Sequence, residues 1–167
     1  MKRIGILGLV VALAGSIFAA YDNFLFLNIN TLNTRYIPVC KRWDNILSDI
    51  EPYTTNSRMP KEKMQLFYTV ERKNKKFDVL LSIIKLNNNI VPSNADKIIV
   101  SISQINSGTR LGGSVILAND HQQWFVTTPD MLVQWIKDFR KTWFLKWGLL
   151  LIAMGTLIRI IKEMFLK

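Results

Sequence analysis

One stretch constrains this chain more than any other: "TWFLKWGLLLIAMGTLIRIIKEM", Thr142 to Met164. Between Lys146 and Arg159 lie twelve uncharged residues, about 18 Å of helix at about 1.5 Å per residue. A bilayer core is about 30 Å thick and takes about 20 mainly apolar residues. Counted from Trp143 to Ile161 the segment has nineteen residues, about 28 Å of helix. Lys and Arg bury their aliphatic stems and lift their charged ends, so each end of a span can carry one. Trp143 and Trp147 lie near one end, where amphipathic rings favour the headgroup level. A soluble core helix has no need of "WGLLLIAMGTLI" being apolar on every side. The segment reads as a transmembrane helix over 143–167, with Trp143, Lys146, Trp147 and Arg159 as its interface anchors and a short tail beyond.

A second apolar run opens the chain. Ile4 to Ala20 is seventeen residues without a charge, preceded by Lys2 and Arg3. That is the lower limit of a span and also the shape of a signal peptide. The run continues past the small residues Ala14 and Ser16, which favours an uncleaved signal anchor over 1–20. Gly8, Ala12, Ser16 and Ala20 recur every four residues and predict a stripe of small side chains for close helix approach. Gly148 and Gly155, seven apart, share a face and offer the opposing surface.

If Lys2 and Arg3 hold the start inside, two crossings return the C-terminal Lys162 and Lys167 to the same side. Lys137, Arg140 and Lys141 just before the second span oppose this locally, but long loops translocate largely regardless of charge. The expectation is a bacterial inner-membrane protein with both termini cytoplasmic and its central domain periplasmic.

Residues 21–142 carry that domain. "PVCKRWDNILSDIEP" predicts a short amphipathic helix with Val39, Trp43, Ile46, Leu47 and Ile50 on one face, started by Pro38 and stopped by Pro52. "YTTNSRMPKEK" reads as loop. From Met64 the period changes to two. "MQLFYTVER" alternates Leu66, Tyr68 and Val70 against Phe67, Thr69 and Glu71. "KNKK" then reads as a charged turn and "FDVLLSIIKL" as a strand apolar on both faces. "KIIVSISQI", "SVILA" and "QWFVT" follow, giving five antiparallel strands in meander order. "TTPDMLVQWIKDFRK" restarts the helical pattern, with Thr128 as N-cap, Pro129 in the first turn and Asp130 toward the positive helix end. Met131, Leu132, Trp135 and Phe139 form its expected apolar stripe. Nothing breaks a helix before the span, so one helix is expected from Pro129 to about Met164. The fold class is α+β, two transmembrane helices flanking a small sheet domain.

Chemistry is sparse. His121 in "NDHQQ" sits beside Asp120, yet a hairpin turn accounts for both. Cys40 is the only cysteine, so no internal disulfide forms. A Cys40–His121 nucleophile pair has no support from sequence spacing. One His and one Cys give no closely spaced metal ligands, and no cofactor is expected. "GTRLGG" lacks the lysine and the strand–loop–helix order of a phosphate loop. Charge is more informative. Residues 21–142 hold sixteen Lys and Arg against eleven Asp and Glu, a net of +5. Arg72, Lys73, Lys75 and Lys76 crowd one turn, and Lys137, Arg140 and Lys141 sit beside the span. These are the expected contacts for anionic lipid or an acidic partner. Nucleic acid is not expected, because few aromatics accompany the cations. The sequence predicts a non-enzymatic membrane protein whose domain binds another membrane or periplasmic protein, as an assembly subunit or an inhibitor; a homo-oligomer is open to it. The alternative is a protein handling lipid or a small ligand at the membrane surface.

Overall fold

The structure, a computed structural model, describes residues 2–20, 38–55, 67–88, 91–102 and 113–165. They fall into two compact units, Met1–Pro38 with Phe139–Lys167, and Val39–Asp138.

In the second unit, helix α2 (Pro38–Ile50) follows helix α1 (Lys2–Ala19) of the first, and a 3-10 turn (Glu51–Tyr53) follows α2. The apolar face of α2 is the expected one: Trp43, Ile46, Leu47 and Ile50 are all buried. The side chains of Val39 and Cys40 lie outside the described residues. Pro52 continues the chain as a 3-10 turn that buries Tyr53.

Four strands form one antiparallel sheet in chain order: β1 (Phe67–Glu71), β2 (Lys97–Ser101), β3 (Ser114–Ala118) and β4 (Gln123–Thr127). The alternation read from the sequence sets their faces. Val70, Ile98, Val100, Val115 and Leu117 are buried to within 1%, and the register places Val70 beside Ile98 and Leu117 beside Trp124. A bulge between Val115 and Ile116 shifts the β3–β4 pairing. Gly113 has no room for a side chain, because a Cβ there would collide with the Ser101 carbonyl oxygen.

The expected fifth strand is a helix. "FDVLLSIIKL" lies within α3 (Lys75–Asn87), and the sheet has four strands among the described residues. A continuous apolar run fits a buried strand or a buried helix equally, and the ends decide. Asn74 caps the helix by accepting the Lys76 N–H at 3.0 Å. Asp78 falls in the first turn and Lys85 in the last, both matching the helix dipole. Phe77, Leu80, Ile83 and Ile84 then make one buried stripe. "KNKK" is therefore a helix start, with Lys75 and Lys76 in its first turn.

Three helix faces supply the rest of this core: those of α2 and α3, and Leu132, Val133 and Ile136 from the first turns of helix α4 (Pro129–Phe165). The α4 stripe differs from the expected one, since Met131 is 48% exposed. Thr128 starts α4 as expected, its carbonyl accepting Leu132 N–H at 3.0 Å and its hydroxyl accepting Met131 N–H at 3.4 Å. Asp130 does more than face the helix end. Its carboxylate accepts the Thr55 N–H at 3.1 Å and the Thr55 hydroxyl at 2.9 Å, tying the segment after α2 to α4. A second polar tie joins three elements. Asp49 of α2 accepts the Tyr68 hydroxyl of β1 at 2.8 Å and also pairs with the Lys76 ammonium of α3.

The first unit is α1 with the remainder of α4. Helix α4 is 37 residues long without interruption, ending one residue beyond the expected Met164. Helix α1 is shorter than a span requires. Its apolar part, Ile4–Ala19, has sixteen residues, about 24 Å of helix against a bilayer core of about 30 Å. The expectation of two spans is thus not met on length: among the described helices, only α4 is long and apolar enough to cross a membrane.

Candidate functional site

Two surfaces stand out, one in each unit. The first is the hairpin of α1 and α4. It is antiparallel, since Gly5 lies by Lys162, Gly8 by Gly155, Gly15 by Gly148 and Ile152, and Ala19 by Gly148. The approach is close enough for backbone to touch backbone. A Cβ on Gly8 would stand 2.8 Å from the Gly155 carbonyl oxygen, and one on Gly155 would stand 2.6 Å from Ala12 N.

Of the expected small-residue stripe, the structure brings Gly8 and Ala12 to this contact. Ser16 is exposed and donates its hydroxyl to the Ala12 carbonyl at 3.0 Å; Ala20 is half-buried. Sequence reasoning missed Gly15 and Ala19, which complete the line. Steps of four residues drift around a helix of 3.6 residues per turn, whereas steps alternating four and three stay on one face. The signal was present: Gly8 and Gly15 are seven apart, as are Gly148 and Gly155.

Outside this seam the hairpin is apolar and bare. Leu7, Leu9, Val10 and Leu13 of α1, and Leu149, Leu150, Leu157 and Ile160 of α4, are each about half exposed or more. Only 17% of the most apolar window of α4 is buried, where the core helix of a soluble protein would be mostly covered. Polar groups inside the run are satisfied by the helix itself. The Thr156 hydroxyl donates to the carbonyls of Ala153 at 2.8 Å and Ile152 at 3.1 Å. Trp143 packs on Phe18 with ring centroids 6.0 Å apart and on Trp147 at the same distance; Phe144 meets Phe18 edge-on at 5.0 Å. These rings close one end of the hairpin. Lys146 and Trp147 are exposed there, and Arg159 near the other end pairs with Glu163 at 3.4 Å.

The second surface is the outer face of the sheet. Thr69, Ile99, Ile116 and Phe125 stand in one row across all four strands. Phe125 is 67% exposed and Phe67, one position along β1's face, is 58% exposed. Ile99 and Ile116 between them are half-buried.

Carboxylates are interleaved with the basic cluster. Arg72 pairs with Asp96 at 3.2 Å, Lys76 with Asp49, and neighbouring Lys97 with Asp120 at 3.5 Å. Glu71, Arg72, Lys73, Asp96 and Lys97 line a hollow of about 360 Å³ with charges of both signs. Lys137 and Lys141 are exposed on α4, and Arg140 is half-buried. His121 is exposed in the β3–β4 turn, where Asn119 Oδ1 accepts the backbone N–H of His121 at 2.9 Å and of Gln122 at 2.7 Å. Asp120 is engaged with Lys97. Most of "GTRLGG" lies outside the described residues, as does the Cys40 side chain. Among the described residues no three His, Cys, Asp or Glu side chains gather to hold a metal ion.

Among the described residues, Tyr68 and Tyr53 are the titrating groups that the fold perturbs. Burial pushes the Tyr68 phenol well above its ordinary range, and its hydrogen bond to Asp49, the charge of Asp49 and the nearness of Tyr53 add to it. Burial and the Asp49 charge raise Tyr53 as well. The Tyr68 phenol, held protonated beside an ion-paired carboxylate, serves as a structural donor.

No protein-family model, curated protein or solved structure matches this chain.

Proposed function

We propose that this chain is a non-enzymatic inner-membrane protein whose unit Val39–Asp138 is a docking module for another protein, with the α1–α4 hairpin as its anchor. The outer face of the sheet carries the docking reading. A two-layer α+β unit needs one apolar sheet face for its own helices, and here the second face also presents Phe125, Phe67, Ile99 and Ile116. Apolar side chains presented together across a sheet face are costly in water and typical of recognition surfaces. The partner is a protein with a matching apolar surface, either an assembly subunit or the target of an inhibitor. The mixed charges around Arg72 and Lys97 favour this over lipid handling, since an acyl chain would need an apolar hollow.

The anchor reading rests on the bare apolar exterior of the hairpin. Because α1 and α4 are antiparallel, Lys2, Arg3 and Lys162 fall at one end of the hairpin, which supports both termini on the cytoplasmic side and Val39–Asp138 in the periplasm.

The test is purification of the tagged chain from its own membranes in mild detergent, comparing wild type with Phe125→Asp and Phe67→Asp. Leu86→Asp on α3, 67% exposed away from the sheet, is the control. A stoichiometric protein lost with either sheet variant and kept with the control supports docking. A partner retained by all variants, or phospholipid as the sole companion, overturns it.

A further inference from the structure

The anchor reading leaves open which bilayer the hairpin fits, and its charges bear on that. On α4 the uncharged run between Lys146 and Arg159 is twelve residues, about 18 Å of helix. Side chains on a helix lean toward its N-terminus. Lys146, at the N-terminal end of the run, leans outward and can lift its ammonium to the headgroups. Arg159, at the C-terminal end, leans back toward the middle of the run. Glu163, one turn further on, leans back to meet it at 3.4 Å. Arg159 also lines a hollow of about 330 Å³ with Gly8, Ala12, Ser16 and Thr156. Arg159 thus stands with its backbone beside Gly8 of α1 and its guanidinium paired with Glu163.

Helix α1 sets a limit of similar size. A Cβ on Gly8 would lie 3.4 Å from Arg159 N, and one on Gly5 would lie 2.9 Å from the Lys162 ammonium. The Lys162 ammonium thus flanks α1 at Gly5, and the Arg159 backbone at Gly8. From Gly5 to Ala19 is fifteen residues, about 22 Å. The widest allowance, Ile4–Ala19, is sixteen, about 24 Å. Both helices give a belt about 6 to 12 Å short of an average hydrocarbon core. A short belt is accommodated by thinning the bilayer, at a cost that grows with each ångström of mismatch.

The geometry points to a lipid partner of particular dimension: the hairpin selects bilayers with a hydrocarbon core of about 24 Å or less and thins thicker ones around itself. This rests on the anchor reading above. To test it, the full chain in detergent is offered equal amounts of dimyristoleoyl and dierucoyl phosphatidylcholine vesicles, separable by density, and its distribution is measured after detergent removal. At least about fivefold more protein belongs in the thinner vesicles. Arg159→Leu extends the uncharged run to Lys162 and should cut that ratio at least about twofold. Equal occupancy, a preference for dierucoyl lipid, or an unchanged ratio in Arg159→Leu overturns the thickness selection while leaving anchoring intact. Recovery in neither vesicle overturns the anchor reading and the selection with it.

Discussion

Asp49 shows how much one residue can hold. Its carboxylate joins α2, β1 and α3, taking the Tyr68 hydroxyl and the Lys76 ammonium together. Both side chains of the ion pair are 30% exposed, so water screens them only in part. Asp49→Ala strips a half-buried cation and a phenol of their acceptor and should destabilise unit Val39–Asp138 by about 2–4 kcal/mol. Denaturant unfolding of the full chain in detergent, followed by near-UV circular dichroism, measures this. Tyr68 adds a pH signature. Its folded pKa is raised above the ordinary 10.0, so the folded state holds the phenolic proton more tightly than the unfolded state. That contribution is fully present below pH 10 and is lost as pH rises beyond it. Tyr68→Phe should therefore show a shallower loss of melting temperature above pH 10 than wild type. None of this was legible in the sequence, where Tyr68 was one step of an alternation and Asp49 a polar residue on an amphipathic helix. The tie depends on which elements meet, and spacing within one element does not carry that.

Among the elements, β3 and β4 were read to the residue, because short alternating runs between turn residues leave one assignment open. The helix α3 was not, since an apolar run lacks a period and only Asn74, Asp78 and Lys85 mark it as a helix. The hairpin seam was half legible. The sequence offers glycines and alanines, but which of them meet depends on the crossing of two helices. Steric limits at that seam are severe. Gly155→Leu would drive a side chain into the backbone of Ala12 and Gly8, and should cost about 1–3 kcal/mol of hairpin stability. Gly8→Leu should behave alike, while Ser16→Leu, on the exposed side, should change little. Thermal unfolding in detergent separates the three.

For the molecule as a whole, the exposed apolar exterior of α1 and α4 makes one demand: in cells the chain should remain in the membrane pellet after alkaline carbonate washing. Release into the supernatant would rule out a spanning anchor. The Gly8–Gly155 contact carries a further consequence, one of timing. These residues are about 150 positions apart, and at about 5–20 residues per second a ribosome needs about 7–30 s to travel between them. Throughout that interval α1 has emerged and its glycine face has no mate. Among the described elements α1 is made before the sheet and meets its partner helix after it, so the speed of translation becomes a variable in whether the hairpin assembles correctly.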